Sequence, residues 1–143
     1  MTAQTGDLLK VGEGFAQEDF YMLSTEPLES YLESVAPKFR FTPPDTSLWR
    51  GYRATWQLDK DDRLMLIDFH GYSMTELAKG VQYLFPGESR VFAYWFTGVL
   101  KINVGQVIEY KHRGYESVFE STIEVHIRSG VAFKVFYDSP WQE

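Results

Sequence analysis

The chain of 143 residues contains no cysteine. This absence excludes disulfide bonds, thiolate metal ligands and cysteine nucleophiles, and it fits the reducing cytoplasm, which is the compartment we predict. The amino-terminal residues lack both the basic region and the long apolar region of a signal peptide, so we expect no export signal.

Long hydrophobic runs are also missing. The stretch VFAYWFTGVL, residues 91–100, is followed directly by Lys101. A membrane-spanning helix needs about 18 or more apolar residues, and this stretch has about half that length. We therefore expect no membrane segment, and we interpret residues 91–100 as the inside of a sheet. In this strand Phe92, Tyr94 and Phe96 are predicted to point into the core.

Positive charge is scarce. The chain has 14 basic and 20 acidic residues, a net charge of −6. Residues 1–48 hold eight acidic and three basic residues, whereas residues 49–143 are close to neutral. An acidic chain is repelled by nucleic-acid phosphates and attracted to basic proteins, so we expect no nucleic-acid partner. The alternative explanation of the acidity is a solvated surface that keeps the protein in solution.

Recognisable catalytic and cofactor motifs are absent. The chain has no glycine-rich dinucleotide or phosphate loop, no Gly-x-Ser-x-Gly elbow and no closely spaced histidine ligands. Asp68 and His70 lie two residues apart, as do Glu124 and His126, but this spacing alone is typical of a hydrogen-bonded histidine. We predict that the protein is not an enzyme and that it carries no metal and no cofactor.

Aromatic residues are abundant, at 17% of the chain. The apolar spacing predicts a first helix that is capped by Ser24 or Thr25 and ends at Pro37. It predicts a second helix over residues 73–84 that begins with a Ser73–Glu76 capping box. Residues 1–14 are small and polar, and we expect them to be poorly ordered.

Alternation with a period of two predicts strands over most of the remaining chain. A hairpin joins residues 49–58 to 63–70, a strand covers 91–104, and a second hairpin turns at Ser129-Gly130. The residues that continue this hairpin are Val131, Phe133, Val135 and Tyr137. The fold class that follows is α+β, with residues 15–143 as a single domain. It would be a curved, mostly antiparallel sheet of about six or seven strands with two helices packed on it, and the alternative is a β-barrel-like sheet.

Several segments resemble a family of small uncharacterised bacterial proteins. They are WRGYRATWQL, LMLIDF, LFPG, VFAYWFTGVLKINVG, EYKHRGYESVFE and IEVHIRSGVAF, within about residues 49–133. The resemblance implies one bacterial, β-rich domain and no established activity. The chain has Gln57 and Tyr94 where the family has acidic residues, and Phe119 where it has tyrosine. If the family's acid at position 94 performs chemistry, Tyr94 implies that this chain does not.

Acidic residues are the strongest functional signal. Three lie on the first predicted helix and two on the outer face of the last hairpin: Glu26, Glu29, Glu33, Glu120 and Glu124. Acidic groups beside exposed aromatic rings suit a protein that covers a basic partner. We predict an immunity protein, a small cytoplasmic protein that neutralises a cognate toxin by binding it.

A small-ligand-binding protein or enzyme is the alternative function. Its pocket on the sheet would be lined by four aromatic residues: Trp56, Tyr94, Trp95 and Tyr110. In either case the chain would be a monomer or a homodimer, because an exposed edge strand can pair with a second copy.

Overall fold

The structure, a computed structural model, describes residues 4–10, 20–74, 77–109 and 118–138, with the side chains of all but 105–109, 118–121 and 137–138. These residues form nine strands and two short helices. In chain order they are β1 (Leu8–Lys10), β2 (Phe20–Leu23), α1 (Glu29–Ser34), β3 (Tyr52–Leu58), β4 (Leu64–Gly71), β5 (Ala78–Lys79), α2 (Val81–Leu84), β6 (Val91–Phe92), β7 (Gly98–Glu109), β8 (Val118–Arg128) and β9 (Val131–Asp138).

All nine strands belong to one sheet. Eight follow the order β5-β4-β3-β1-β2-β7-β8-β9, and β6 pairs with β4. Every pairing is antiparallel except that of β1 with β3. The α+β class and the mostly antiparallel sheet are confirmed, with more strands than predicted. The barrel alternative is wrong, because the sheet is open and ends at β5 and β9.

The two amino-terminal strands differ from the prediction. Residues 1–14 were expected to be poorly ordered, yet Leu8–Lys10 forms an inner strand between β2 and β3. Phe20–Leu23 then pairs with both β1 and β7. Strands of three and four residues are too short for an alternating pattern to show in the sequence. Their pairing partners lie far away along the chain.

Both helices are shorter than predicted. Helix α1 begins after Leu28, without a side-chain cap. Thr25 binds β7 instead: its hydroxyl donates to the Val99 carbonyl oxygen at 2.9 Å and accepts from the Lys101 N–H at 3.0 Å. The predicted second helix contains β5 and only four helical residues, because Gly80 takes φ = 87° and interrupts the helix. Glu76 of the expected capping box lies outside the described residues.

The hydrophobic core lies on one face of the sheet. Alternate residues of β3 and β4 supply its largest side chains, including Tyr52, Trp56 and Phe69. Helix α2 adds Val81 and Leu84 to the same cluster, and Leu28 joins it just before α1. We call this side the core face and the opposite side the outer face.

The segment 91–100 is not one continuous strand. Strand β6 stops at Phe92, and the chain then turns, with the Phe96 N–H bonded to the Ala93 carbonyl oxygen at 3.1 Å. The turn breaks the alternation, so Ala93 and Phe96 are buried whereas Tyr94 is 61% exposed. The prediction that Tyr94 points into the core is therefore wrong.

The tip of the last hairpin is anchored to the rest of the sheet. Ser129 and Gly130 have φ of 48° and 85°, which confirms the predicted two-residue turn. The Gly130 N–H donates to the Phe96 carbonyl oxygen at 2.8 Å, and its own carbonyl oxygen accepts from the Leu64 N–H at 2.7 Å. These bonds fix the position of β8 and β9 relative to β4.

Gly130→Ala is expected to lower the free energy of unfolding by about 2–4 kcal/mol. A Cβ atom at this position would lie 2.6 Å from the Ala93 carbonyl oxygen, in addition to the positive φ. Gly87 has the same φ of 85°, but a Cβ atom there would have no neighbouring atom within 4 Å, so Gly87→Ala should cost only about 1 kcal/mol. Urea unfolding of both variants checks the difference, and equal losses would show that the tip is not tightly packed.

Candidate functional site

Two phenylalanines are exposed together on the outer face of β9. Phe133 and Phe136 are 56% and 44% exposed. The His126 ring on β8 lies edge-on to both, with ring centroids 6.3 Å from Phe133 and 5.0 Å from Phe136. Large apolar rings clustered on a surface are typical of a binding site.

Charged side chains surround these rings. The Arg128 guanidinium lies 4.9 Å from the Phe133 ring centroid, and the Lys134 ammonium lies 4.8 Å from that of Phe136. Such cation–π contacts hold the rings in place at the surface. Glu124 stands opposite Phe136 across the two strands. We call the whole set the hairpin surface: Glu124, His126, Arg128, Phe133, Lys134 and Phe136.

A β-bulge brings the two rings to one face. Residues three apart, such as Phe133 and Phe136, point to opposite faces of a regular strand. The register shifts at this point: His126 pairs with Lys134 and Ile127 with Ala132, which leaves Phe133 as the extra residue. The bulge therefore moves Phe133 to the outer face.

The hairpin surface lies at an edge of the sheet. Strand β9 is the last in the order, and within the described part of the chain it pairs along its length only with β8. Val135 pairs with Val125 on the other face of the hairpin, and it is also exposed, at 64%. An edge strand with exposed apolar side chains is a ready contact for another chain.

The predicted partner-binding acids have different surroundings in the structure. Glu124 belongs to the hairpin surface, with its Oε1 3.8 Å from His126 Nε2, and Glu33 is exposed on α1. The side chain of Glu120 lies outside the described residues. Glu29 accepts a hydrogen bond from the Tyr52 hydroxyl at 2.7 Å, and Glu26 Oε1 lies 3.6 Å from Arg50 Nη1.

Glu26 and Glu29 belong to a buried polar network that could not be predicted from the sequence. Its centre is Asp7, which has no exposed surface. Asp7 accepts hydrogen bonds from Arg50 Nη2 at 2.6 Å, from the Ala54 N–H at 3.0 Å and from Trp56 Nε1 at 3.0 Å. Nothing in the sequence distinguishes Asp7 from a surface acid, because its partners lie more than 40 residues away. The network ties the amino-terminal segment to β3.

The buried position of Asp7 makes stability depend on pH. Burial raises the pKa of its carboxyl above the usual value of 3.8, although Arg50 and two further N–H donors oppose the shift. The folded state therefore holds this proton more tightly than the unfolded state, so stability falls as pH rises from 3.8 through the folded-state pKa.

We expect Asp7→Asn to remove this contribution from the pH dependence. As pH rises above 3.8, the free energy of unfolding of the parent protein should fall, because its folded state loses the proton on Asp7. The Asp7→Asn variant has no such proton to lose, so its stability should rise relative to that of the parent. Chemical unfolding at a series of pH values measures how the difference in unfolding free energy between the two proteins changes with pH. This slope is unaffected by any constant loss of stability that the substitution causes. A difference that does not vary with pH, or varies in the opposite direction, would contradict the raised pKa.

The predicted aromatic pocket does not form as expected. Trp56 is completely buried on the core face and has no surface with which to touch a ligand. Trp95 packs on it, with ring centroids 6.4 Å apart, and donates through Nε1 to the Pro27 carbonyl oxygen at 2.8 Å. Tyr94 lies exposed at the edge of Trp95, and Tyr110 lies outside the described residues.

A cavity is present on the outer face, where the sequence analysis identified no site. Its volume is about 400 Å³, and strands β1 to β4 supply its lining: Leu8, Lys10, Phe20, Thr55, Ile67 and Asp68. It therefore combines apolar side chains with one basic, one acidic and one hydroxyl group.

Across the described ranges, no three histidine or carboxylate residues come together in a group that could hold a metal ion. In the same ranges, no helix combines the length and apolar character needed to cross a membrane. No protein-family model matches the chain, and no curated protein or solved structure gives a significant match. The resemblance to small bacterial proteins over residues 49–133 stays a prediction.

Proposed function

We propose that this is a small cytoplasmic protein that acts by binding another protein, and that it is an immunity protein whose partner is a toxin. It acts by stoichiometric binding and carries out no catalysis. The observation that supports this proposal is the hairpin surface, where two phenylalanine rings are exposed side by side on an edge strand.

The composition of the hairpin surface suits protein recognition. Aromatic and arginine side chains supply most of the energy in protein interfaces, because they bury large areas when a partner excludes water. Phe133, Phe136 and Arg128 are residues of these kinds, and they already contact one another or His126. Little side-chain order therefore has to be gained on binding, and this lowers the entropic cost.

The charge of the chain supplies the attraction at longer range. A net charge of −6 draws a basic partner toward the protein and raises the rate of association. The described charges of the hairpin surface are mixed rather than acidic, since Arg128 and Lys134 stand near Glu124. In this proposal the net charge of the whole chain attracts the partner at long range, and the hairpin surface makes the direct contacts with it.

Recovery of the partner tests the proposal. The tagged chain would be expressed in its own organism and purified under mild conditions, and the complex would be sized by light scattering. We expect a basic protein in a fixed stoichiometry. Expression of that protein alone should stop growth, and co-expression of this chain should restore it. A chain that purifies without a stoichiometric partner, or a partner whose expression leaves growth unaffected, would contradict the immunity function.

A further inference from the structure

We propose that the outer-face cavity binds a small organic anion that has an apolar body, of the type represented by a medium-chain carboxylate. The cavity lies over β1, β3 and β4, with Phe20 of β2 at its side. It shares no residue with the hairpin surface, so the proposal is independent of the protein-binding function.

Strand register builds the floor of the cavity. Leu8 pairs with Thr55, and Thr55 pairs in turn with Asp68. These three residues therefore form one row across β1, β3 and β4. Lys10 pairs with Phe20 of β2 and belongs to the next row on the same face. A regular sheet places these side chains side by side.

A second β-bulge shapes the cavity. Thr55 pairs with Asp68 and Trp56 with Leu66, so Ile67 is an extra residue in β4. Neighbouring residues of a regular strand point to opposite faces, yet both Ile67 and Asp68 line the cavity. The bulge thus adds an apolar wall next to a polar group, and bulges of this kind are common at binding sites because they redirect side chains.

The lining defines the chemistry of the ligand. Leu8, Phe20 and Ile67 are apolar and suit a hydrocarbon or aromatic body. Among the described lining residues Lys10 is the one basic residue, and it is only 7% exposed. Lysine is almost never buried to this extent without a partner, and Lys10 does interact within the chain. Its ammonium has three N–H donors, so it can keep an internal bond and still donate to a carboxylate.

Asp68 determines the orientation in which an anionic ligand binds in the cavity. It is exposed, and its Oδ1 accepts a hydrogen bond from the Phe69 N–H at 2.8 Å. Its negative charge repels an anionic group, whereas Lys10 attracts one. A carboxylate is therefore held at the Lys10 side, with its apolar body against the three apolar side chains. The cavity volume of about 400 Å³ lies within the usual range of small-molecule pockets, about 300–1,000 Å³.

Competition between matched ligands tests this proposal. The fluorescent probe 1-anilinonaphthalene-8-sulfonate would be bound to the full chain and displaced by octanoate, octan-1-ol or octylamine, which share one hydrocarbon chain. Octanoate should compete about tenfold better than the alcohol, because it alone adds a charged hydrogen bond to Lys10. Octylamine should compete least well. Equal competition by the three ligands would overturn the proposal.

Opposite effects of two variants give the decisive comparison. Lys10→Met should weaken octanoate by about tenfold and leave octan-1-ol unchanged. Asp68→Asn should strengthen octanoate by about threefold, since a repelling charge is removed. Lys79→Met removes an exposed lysine on β5 and should change nothing. If Lys10→Met fails to fold, Asp68→Asn still decides, because an unchanged or weaker affinity for octanoate would contradict the assigned charges.

Discussion

Arg50→Met is expected to lower the free energy of unfolding by about 3–5 kcal/mol, the cost of breaking a buried ion pair by removing one partner. Arg50 Nη2 lies 2.6 Å from Asp7 Oδ1, and the two side chains are 6% and 0% exposed. Without the guanidinium, the Asp7 carboxylate would remain buried with no counter-charge in contact. Urea or thermal unfolding monitored by circular dichroism measures the loss.

Arg63→Met is the matched control. Arg63 Nε forms an ion pair of 2.9 Å with Asp59 Oδ2, but the Arg63 side chain is 48% exposed. Exposed pairs contribute about 0–1 kcal/mol. Adding Asp7→Asn to Arg50→Met should recover part of the loss, because the unpaired charge is removed as well. If Arg50→Met costs no more than Arg63→Met, the network does not hold the amino-terminal segment.

Replacing both phenylalanines of the hairpin surface should abolish tight binding of the protein partner. Truncation of an aromatic residue at the centre of an interface typically costs about 2 kcal/mol or more, which is about 30-fold in Kd. The double variant Phe133→Ser, Phe136→Ser should therefore weaken binding by about two to three orders of magnitude if the two losses add. Isothermal titration calorimetry with the purified partner measures the affinity.

Met74→Ser and Leu77→Ser serve as controls for this experiment. Both residues are more exposed than the two phenylalanines, at 88% and 81%. They lie in the chain just before β5, which is at the opposite end of the strand order from β9. All four substitutions should leave unfolding almost unchanged, since substitutions at exposed positions usually have small effects. Equal losses of affinity for both pairs would show that the hairpin surface is not the binding site.

The strands with a clear alternating pattern could be predicted from the sequence. Strands β3 and β4 and the β8–β9 hairpin lie where the period of two placed them. In β3 and β4 the cause is visible, because alternate residues are buried on one face. Strands β1 and β2 could not be predicted in this way. They are stabilised by pairing with β3 and β7, and such long-range pairing leaves no local periodicity.

The candidate sites were harder to predict than the fold. The sequence analysis interpreted Glu26 and Glu29 as surface acids. In the structure Glu26 lies next to Arg50, and Glu29 accepts a hydrogen bond from Tyr52. The bulge beside Ile127 brings Phe133 to the same face as Phe136. A bulge adds one residue without changing composition, so a sequence pattern does not reveal it. Among the predicted acids whose side chains are described, Glu124 is the one that lies on the hairpin surface.

Hydrogen exchange of β9, in the free protein and in the complex, tests the central claim most directly. The Ala132 N–H of β9 donates to the Asp62 carbonyl oxygen at 2.8 Å. We expect the other N–H groups of β9 that do not bond to β8 to lie along the edge of the sheet, where water can reach them. A partner that covers the hairpin surface excludes this water, so we predict that exchange in residues 131–138 slows by about tenfold or more in the complex. Unchanged exchange in residues 131–138, together with protection around α1, would contradict the claim that the protein binds its partner through the hairpin surface.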